Sequence, residues 1–215
     1  MQPVSLNERT EYLPAQKDPL CCDIGVIYGE RYTWIYDVGY GSIAASFLRS
    51  LPGEKRFVLS HFHEDHVANL FHYGEDCGLM PPAVGDVRDE DLFVGSYTYR
   101  KFGRGTCVTE PITLGDGAGI RIFPFPSYHA KGCLAMESAD GFVFLGDAVY
   151  PKDSGEQGIY NRSVITEQIR LLEELKAGKV LISHDRAYVM DKRAVLLFLR
   201  SLLKKGDPSS PFIIA

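Results

Sequence analysis

The segment His61-Phe62-His63-Glu64-Asp65-His66 places four potential metal ligands, His61, His63, Asp65 and His66, within six positions. Residues 55–60 before it read as a short strand with an apolar centre. After it, Val67, Leu70 and Phe71 recur at helical spacing over about residues 65–73. The ligands therefore fall on a strand-to-helix turn. Side chains at i and i+2 of an extended segment share a face, so His61 and His63 can grip one ion. The turn re-aims Asp65 and His66, which can then reach a second ion a few ångströms away.

The chain has six histidines, three of them in this segment. Two others follow β-like apolar runs: His129 after residues 119–128, and His184 after residues 180–183. A third such run, residues 141–146, ends on Asp147. Imidazole and carboxylate at strand ends suit a hard-to-borderline divalent metal such as zinc, manganese or iron. His72 lies in the helix expected beyond the cluster and reads as a surface or packing residue.

This set resembles the metallo-β-lactamase superfamily, whose pattern is His-x-His-x-Asp-His, a lone histidine, an aspartate after a strand, and a final histidine. The pattern falls in order on His61, His63, Asp65, His66, His129, Asp147 and His184. Asp37-Val38-Gly39 is similar to the early Asp-x-Gly turn of that fold. His129-Ala130-Lys131-Gly132-Cys133 is similar to its His-x-x-Gly segment, although Lys131 stands where proline is frequent and Cys133 where serine or histidine is frequent. The resemblance spans about residues 23–184 and implies an α+β fold, a four-layer αββα sandwich.

A chain of 215 residues is long enough for one domain with a substantial core, and a single metallo-β-lactamase-like domain over residues 1–215 is the expectation. With 45% hydrophobic and 24% charged residues, the composition is close to the globular average, and a disordered or fibrous chain is not expected. A net charge of −5 gives no general attraction to phosphate backbones, so no nucleic-acid partner is expected. The first twenty residues are polar, without a signal-type apolar segment, and no run reaches the length of a membrane span. These features predict a soluble, cytoplasmic protein with no membrane partner, and the resemblance implies a small-molecule substrate; neither speaks of oligomeric state. The cysteines, Cys21, Cys22, Cys77, Cys107 and Cys133, are odd in number and lack Cys-x-x-Cys spacing, so they read as buried thiols, with Cys133 the one placed near a ligand.

Along the chain, strands are expected over residues 22–28 and 32–36 around a Gly29-Glu30-Arg31 turn, then a helix over 42–51 stopped by Pro52-Gly53. Residues 73–90 and 97–105 read as loops that wall the site. Ligand-bearing strands fill 119–149, an amphipathic helix runs over 162–177, and a strand over 180–183 delivers His184. Asp191 is a fitting N-cap for a last helix ending at Gly206.

The resemblance implies two divalent ions per chain, zinc first with iron or manganese as alternatives. His61, His63 and His129 would bind one, Asp65, His66 and His184 the other, and Asp147 would bridge them. Two such ions can activate water at neutral pH and polarise a carbonyl or phosphoryl oxygen, so hydrolysis is the natural chemistry. Asp65 can also orient the attacking hydroxide. Asp147 as the bridge places the chain nearer the glyoxalase II and lactonase-like branches than the true β-lactamases. The short stretch after His184 argues against a glutathione thioester. The expected substrate is therefore an ester, thioester or lactone. A mononuclear-iron persulfide dioxygenase and a metal-dependent phosphodiesterase or nuclease are the alternatives. Tyr150 resembles a lactonase tyrosine three residues past the bridging aspartate, which could donate to a developing oxyanion. The run from Tyr97 to Arg104 combines three cations with aromatics and reads as a solvated loop or an anion clamp. Asp37 reads as a supporting group rather than a catalyst.

Overall fold

The Gly29-Glu30-Arg31 turn joins strands Ile24–Tyr28 and Tyr32–Tyr36 in antiparallel register, with Gly25 opposite Tyr36. Most of their residues are buried, so both faces of this hairpin need cover. Neighbouring side chains are divided between two cores. Val26, Ile35 and Phe57 enter one, while Ile27, Trp34, Tyr36 and Val58 enter the other.

The computed structural model describes residues 2–71, 84–151, 158–185, 187–205 and 207–215. The hairpin belongs to a seven-stranded sheet ordered Val4–Ser5, Thr10–Leu13, Ile24–Tyr28, Tyr32–Tyr36, Glu54–Val58, Leu92–Val94 and Thr106–Cys107. A second sheet has six strands: Ile112–Leu114, Ile120–Pro124, Leu134–Glu137, Phe142–Gly146, Lys179–Ile182 and Val189–Asp191. Between the sheets, Ile27, Trp34, Tyr36 and Phe93 meet Ile120, Ile122, Leu134, Met136 and Phe144. Each large apolar side chain buried there contributes about 1.5–3 kcal/mol.

Helices cover both outer faces. Helix α1 (Gly41–Ser50) buries Ala44 and Leu48 against the first sheet. A single turn, α2 (Glu64–Val67), follows the histidine segment, and α3 (Ser96–Phe102) follows strand Leu92–Val94. On the second sheet, α4 (Arg162–Glu174) and α5 (Lys192–Leu203) bury Ile165, Leu172, Val195 and Leu199 against Ala135, Val143, Leu145 and Val180. Asn161 caps α4 by accepting from the Ser163 and Val164 amides. The result is the four-layer αββα sandwich. No described helix is long and apolar enough to cross a membrane.

The elements depart from the sequence expectation in four places. Residues 97–102 are helical, not loop; only Thr98 of α3 is buried, so the helix has no amphipathic period to betray it. Helix α2 is four residues long where residues 65–73 were expected, and His72 with residues 73–83 of the expected loop lies outside the described residues. Helix α4 stops at Glu174, with Leu175 already extended. Asp191 occupies the N-cap of α5 but makes no cap bond; its carboxylate accepts from Lys179 Nζ at 2.8 Å.

Candidate metal centre

All seven residues expected as ligands converge where the two sheets meet. Strand Glu54–Val58 runs on into Ser60 and His61, and strand Phe142–Gly146 delivers Asp147 beside them. Gly146 is required for that approach. Its φ is 55°, and a Cβ there would stand 2.7 Å from Ser60 Cβ. The Ser60 carbonyl accepts from Leu134 N at 2.8 Å, which ties the first sheet to the second at this point.

His63 Nδ1 and His129 Nε2 lie 3.0 Å apart, and the ligand atoms of His61, His63 and His129 lie within 4.8 Å of one another. Asp65, His66 and His184 form a second such group, with His184 Nε2 2.9 Å from Asp65 Oδ2. Asp147 stands between them: its Oδ2 is 3.3 Å from His66 Nε2, 3.3 Å from His129 Nε2 and 3.9 Å from His184 Nε2. The structure thus brings together the seven residues that the sequence resemblance names.

The donor atoms themselves test whether a cation fits. His61 Nε2, His66 Nε2 and Asp147 Oδ1 are buried without a hydrogen-bond partner. Leaving such groups unpaired costs about 1–3 kcal/mol each, more when charged. His66 Nε2 lies near two carboxylates yet in hydrogen-bonding geometry to neither. Three orphaned atoms in one cluster of imidazoles and carboxylates are what a divalent cation satisfies.

The far ring nitrogens are held by groups around the cluster. His61 Nδ1 meets Ser60 Oγ at 2.9 Å, and His66 Nδ1 meets Asp37 Oδ2 at 2.8 Å. Asp37 also accepts from the Ser60 amide and hydroxyl, both at 2.7 Å. The buried Asp37 carboxylate therefore orients two ligand-bearing segments at once, the supporting part read for it from sequence. Asp23 does the same for the last ligand: its Oδ2 accepts from His184 N at 2.9 Å. Asp37 (φ 62°) and His184 (φ 60°) are the non-glycine residues with positive φ among the described residues. Left-handed backbone costs about 1–2 kcal/mol, and here side-chain bonds at the site hold it in place. Helix α4 braces the loop after Asp147, where Gln168 Nε2 donates to the Ala148 and Pro126 carbonyls.

Burial, with the neighbouring imidazoles adding to it, holds His61 and His63 below the ordinary histidine range. Burial also lowers His129, partly opposed by Asp147. His66 is held well above that range despite its burial, because Asp147 and Asp37 outweigh the cost. Burial likewise opposes the charge on His184, yet its bond to Asp65 and the charge of Asp147 raise it. Asp65 and Asp147 stay below the usual carboxylate range, burial being outweighed by His184 and His66 for the first and by His66 and His184 for the second. A cation must displace the protons that His66 and His184 keep to higher pH, so its affinity falls as pH falls. Adding zinc to metal-stripped protein in weak buffer near neutral pH is expected to release protons. A titration that detects no release would contradict these assignments.

The cluster borders a cavity of about 570 Å³ lined by Tyr12, Gln16, Lys17, Leu20, Asp185 and Tyr188 as well as five of the expected ligands. Tyr12 and Tyr188 pack ring to ring at 4.3 Å, fastening the N-terminal strand to the loop after His184. This wall escaped sequence reading. Residues 1–20 show only polar composition, and their two-residue strands Gln16–Lys17 and Leu20–Cys21 leave no periodic signal.

Tyr150 is placed differently from its sequence expectation. Its hydroxyl donates to the Ser183 carbonyl, its ring packs on the core beneath the second sheet, and it is not among the cavity-lining residues. Burial, with Asp185 and Asp147 adding to it, raises its pKa. Cys133 does not face the site either: Sγ donates to the Ala130 carbonyl, and burial pushes the thiol up to about 12. Cys21, Cys22 and Cys107 are also free thiols, and Cys77 lies outside the described residues.

The fold is shared with solved structures of low sequence identity. The diiron chemotaxis sensor ODP superposes with a TM-score of 0.67 at 9% identity, covering 94% of each chain. A metallo-β-lactamase from Pontibacter korlensis gives 0.66 at 14% identity over 95% of this chain and 99% of that one. A flavoprotein from Thermotoga maritima gives 0.62 at 16% identity, covering 98% of this chain and 64% of that one. A comparison with curated proteins finds no match. The sequence model of the metallo-β-lactamase superfamily matches residues 18–184, which takes in all seven residues expected as ligands; the chain belongs to that superfamily.

Proposed function

We propose that this protein is a metal-dependent hydrolase acting on an ester, thioester or lactone bond of a small molecule, with two divalent ions, zinc first, held by the seven residues. The observation that carries this reading is the set of orphaned atoms, His61 Nε2, His66 Nε2 and Asp147 Oδ1, in a cluster whose His63, Asp65, His129, Asp147 and His184 line an open cavity. When bound, the ions would supply an ionised water near neutral pH and polarise the scissile carbonyl. His61, His63 and His129 present neutral nitrogens, while Asp65 and Asp147 present ionised carboxylates, the donor states a cation needs. Asp65, half-buried beside His184, is placed to accept a hydrogen bond from the attacking water as well as to ligate. The rings of Tyr12 and Tyr188 shape the apolar wall against which the substrate lies.

Turnover of the best ester, thioester or lactone is expected to rise with pH over about 6–8. The deciding experiment loads the protein with zinc or iron and screens those three classes beside a phosphodiester and a persulfide. Oxygen uptake with the persulfide and no hydrolysis would assign a dioxygenase instead. Cleavage of the phosphodiester alone would assign a phosphodiesterase.

Tyr150 enters this reading as a positioning residue. By bonding the Ser183 carbonyl it steadies the backbone that presents His184. Tyr150→Phe is expected to keep its metals and lose less than about ten-fold in rate, in keeping with one neutral hydrogen bond. A loss of a hundred-fold or more with full metal content would return the phenol to the substrate's side of the reaction.

A further inference from the structure

The hairpin of strands Gln16–Lys17 and Leu20–Cys21 walls the cavity and is fastened at both ends to the metal centre. On the entering side, Asp23 accepts from Ala15 N through Oδ1 and from His184 N through Oδ2, each at 2.9 Å. One carboxylate thus holds both the start of the hairpin and the last expected ligand. On the leaving side, Cys22 N donates to the Asp65 carbonyl at 3.1 Å. Gln16 pairs with Cys21 between these anchors, which fixes its backbone relative to His184 and Asp65.

Strand alternation turns Lys17 to solvent and Gln16 inward, where the residue is 9% exposed. Gln16 Nε2 has no hydrogen-bond partner. Of the buried side-chain atoms left without one among the described residues, only Gln16 Nε2 and Asp147 Oδ1 belong to residues that line the cavity. A cation would pair with Asp147 Oδ1, whereas no described group pairs with Gln16 Nε2. An unpaired buried amide lowers stability, and an acceptor that enters the cavity recovers the loss. The terminal torsion of glutamine is soft, so the NH2 group can turn towards such an acceptor at little cost. A neutral acceptor is favoured over an anion, because Asp23 and Asp185 line the same cavity and Lys17 faces solvent.

We propose that Gln16 determines substrate specificity: its amide donates a hydrogen bond to a carbonyl oxygen that the substrate carries in addition to the scissile one. The proposal rests on the hydrolase reading for the bond that is cleaved; the recognising role of Gln16 stands on the cavity and the unpaired amide. Leu20, 56% exposed, lines the cavity from the other strand of the same hairpin. It offers an apolar surface to the carbon chain that bears this carbonyl.

The test uses the metal-loaded full chain and two phenyl esters that differ by one keto oxygen, phenyl levulinate and phenyl pentanoate, with the homologous pair one methylene longer. In the parent, kcat/KM is expected to favour a keto ester about ten-fold, and Gln16→Met to bring that ratio to about one, in keeping with one neutral hydrogen bond. A ratio unchanged by the substitution, or no preference in the parent for either keto ester, would overturn the proposal. Methionine is close to glutamine in length and has no donor, so it removes an orphaned polar group. Without substrate, Gln16→Met is therefore expected to unfold at an equal or higher urea concentration than the parent. A lower midpoint would assign the amide to packing and overturn its role in recognition. Binding of N,N-dimethyl levulinamide and N,N-dimethyl pentanamide, followed by NMR of the ligand, separates the proposal from the hydrolase reading. Tighter binding of the keto amide that is lost in Gln16→Met supports recognition by Gln16 even if no ester is cleaved; equal binding of the two by the parent overturns it.

Discussion

Asp147→Ala is expected to strip the centre of metal at neutral pH and to lower turnover by about a thousand-fold or more. Asp147 lies within reach of His66, His129 and His184, and one of its oxygens has no other partner. It supplies one of the two carboxylates in a cluster otherwise made of imidazoles. Without it a pair of dications keeps only Asp65 as an anionic ligand, and His66 and His184 lose a charge that now raises them. The expected signature is loss of metal by elemental analysis with the fold retained by circular dichroism. A variant that keeps two ions and the parent rate would remove Asp147 from the centre.

Asp37→Ala is expected to cost about 3–5 kcal/mol of stability and to weaken metal binding ten- to a hundred-fold. Its carboxylate accepts from the Ser60 amide, the Ser60 hydroxyl and His66 Nδ1. Alanine would leave these buried groups short of an acceptor and set a Cβ-bearing residue without polar anchors at φ 62°. Asn, which tolerates the left-handed region, should recover part of the stability but less of the metal affinity, because it carries no charge against His66. Denaturant titration and competitive metal titration measure the two effects separately. Parent affinity in a folded Asp37→Ala protein would show that His66 needs no such support.

How much of the centre was legible in the sequence depends on where each partner lies. His61, His63, Asp65 and His66 sit within one turn, so local geometry announces them. His129, Asp147 and His184 are scattered, and only their positions after β-like runs, with the superfamily pattern, linked them to the first four. Asp37 was readable as a supporting group, yet its bonds to Ser60 and His66 span 23 and 29 residues and leave no local trace. Asp23 is farther still, joined to His184 across 161 residues.

Read by itself, the sequence determined a mixed helix-and-strand chain and the ligand types, since imidazole and carboxylate at strand ends suit a divalent metal; the four layers followed from the superfamily resemblance. Only the tertiary structure decided what surrounds the metal ligands. It folded a polar N-terminal stretch into the cavity wall, turned residues 96–102 into a helix seated on the His129 turn, and directed the Tyr150 hydroxyl to Ser183 rather than the cavity. The reason is physical. A buried apolar face is written into every few residues of a chain, whereas a cavity wall and the aim of a hydroxyl arise from contacts between segments far apart in sequence.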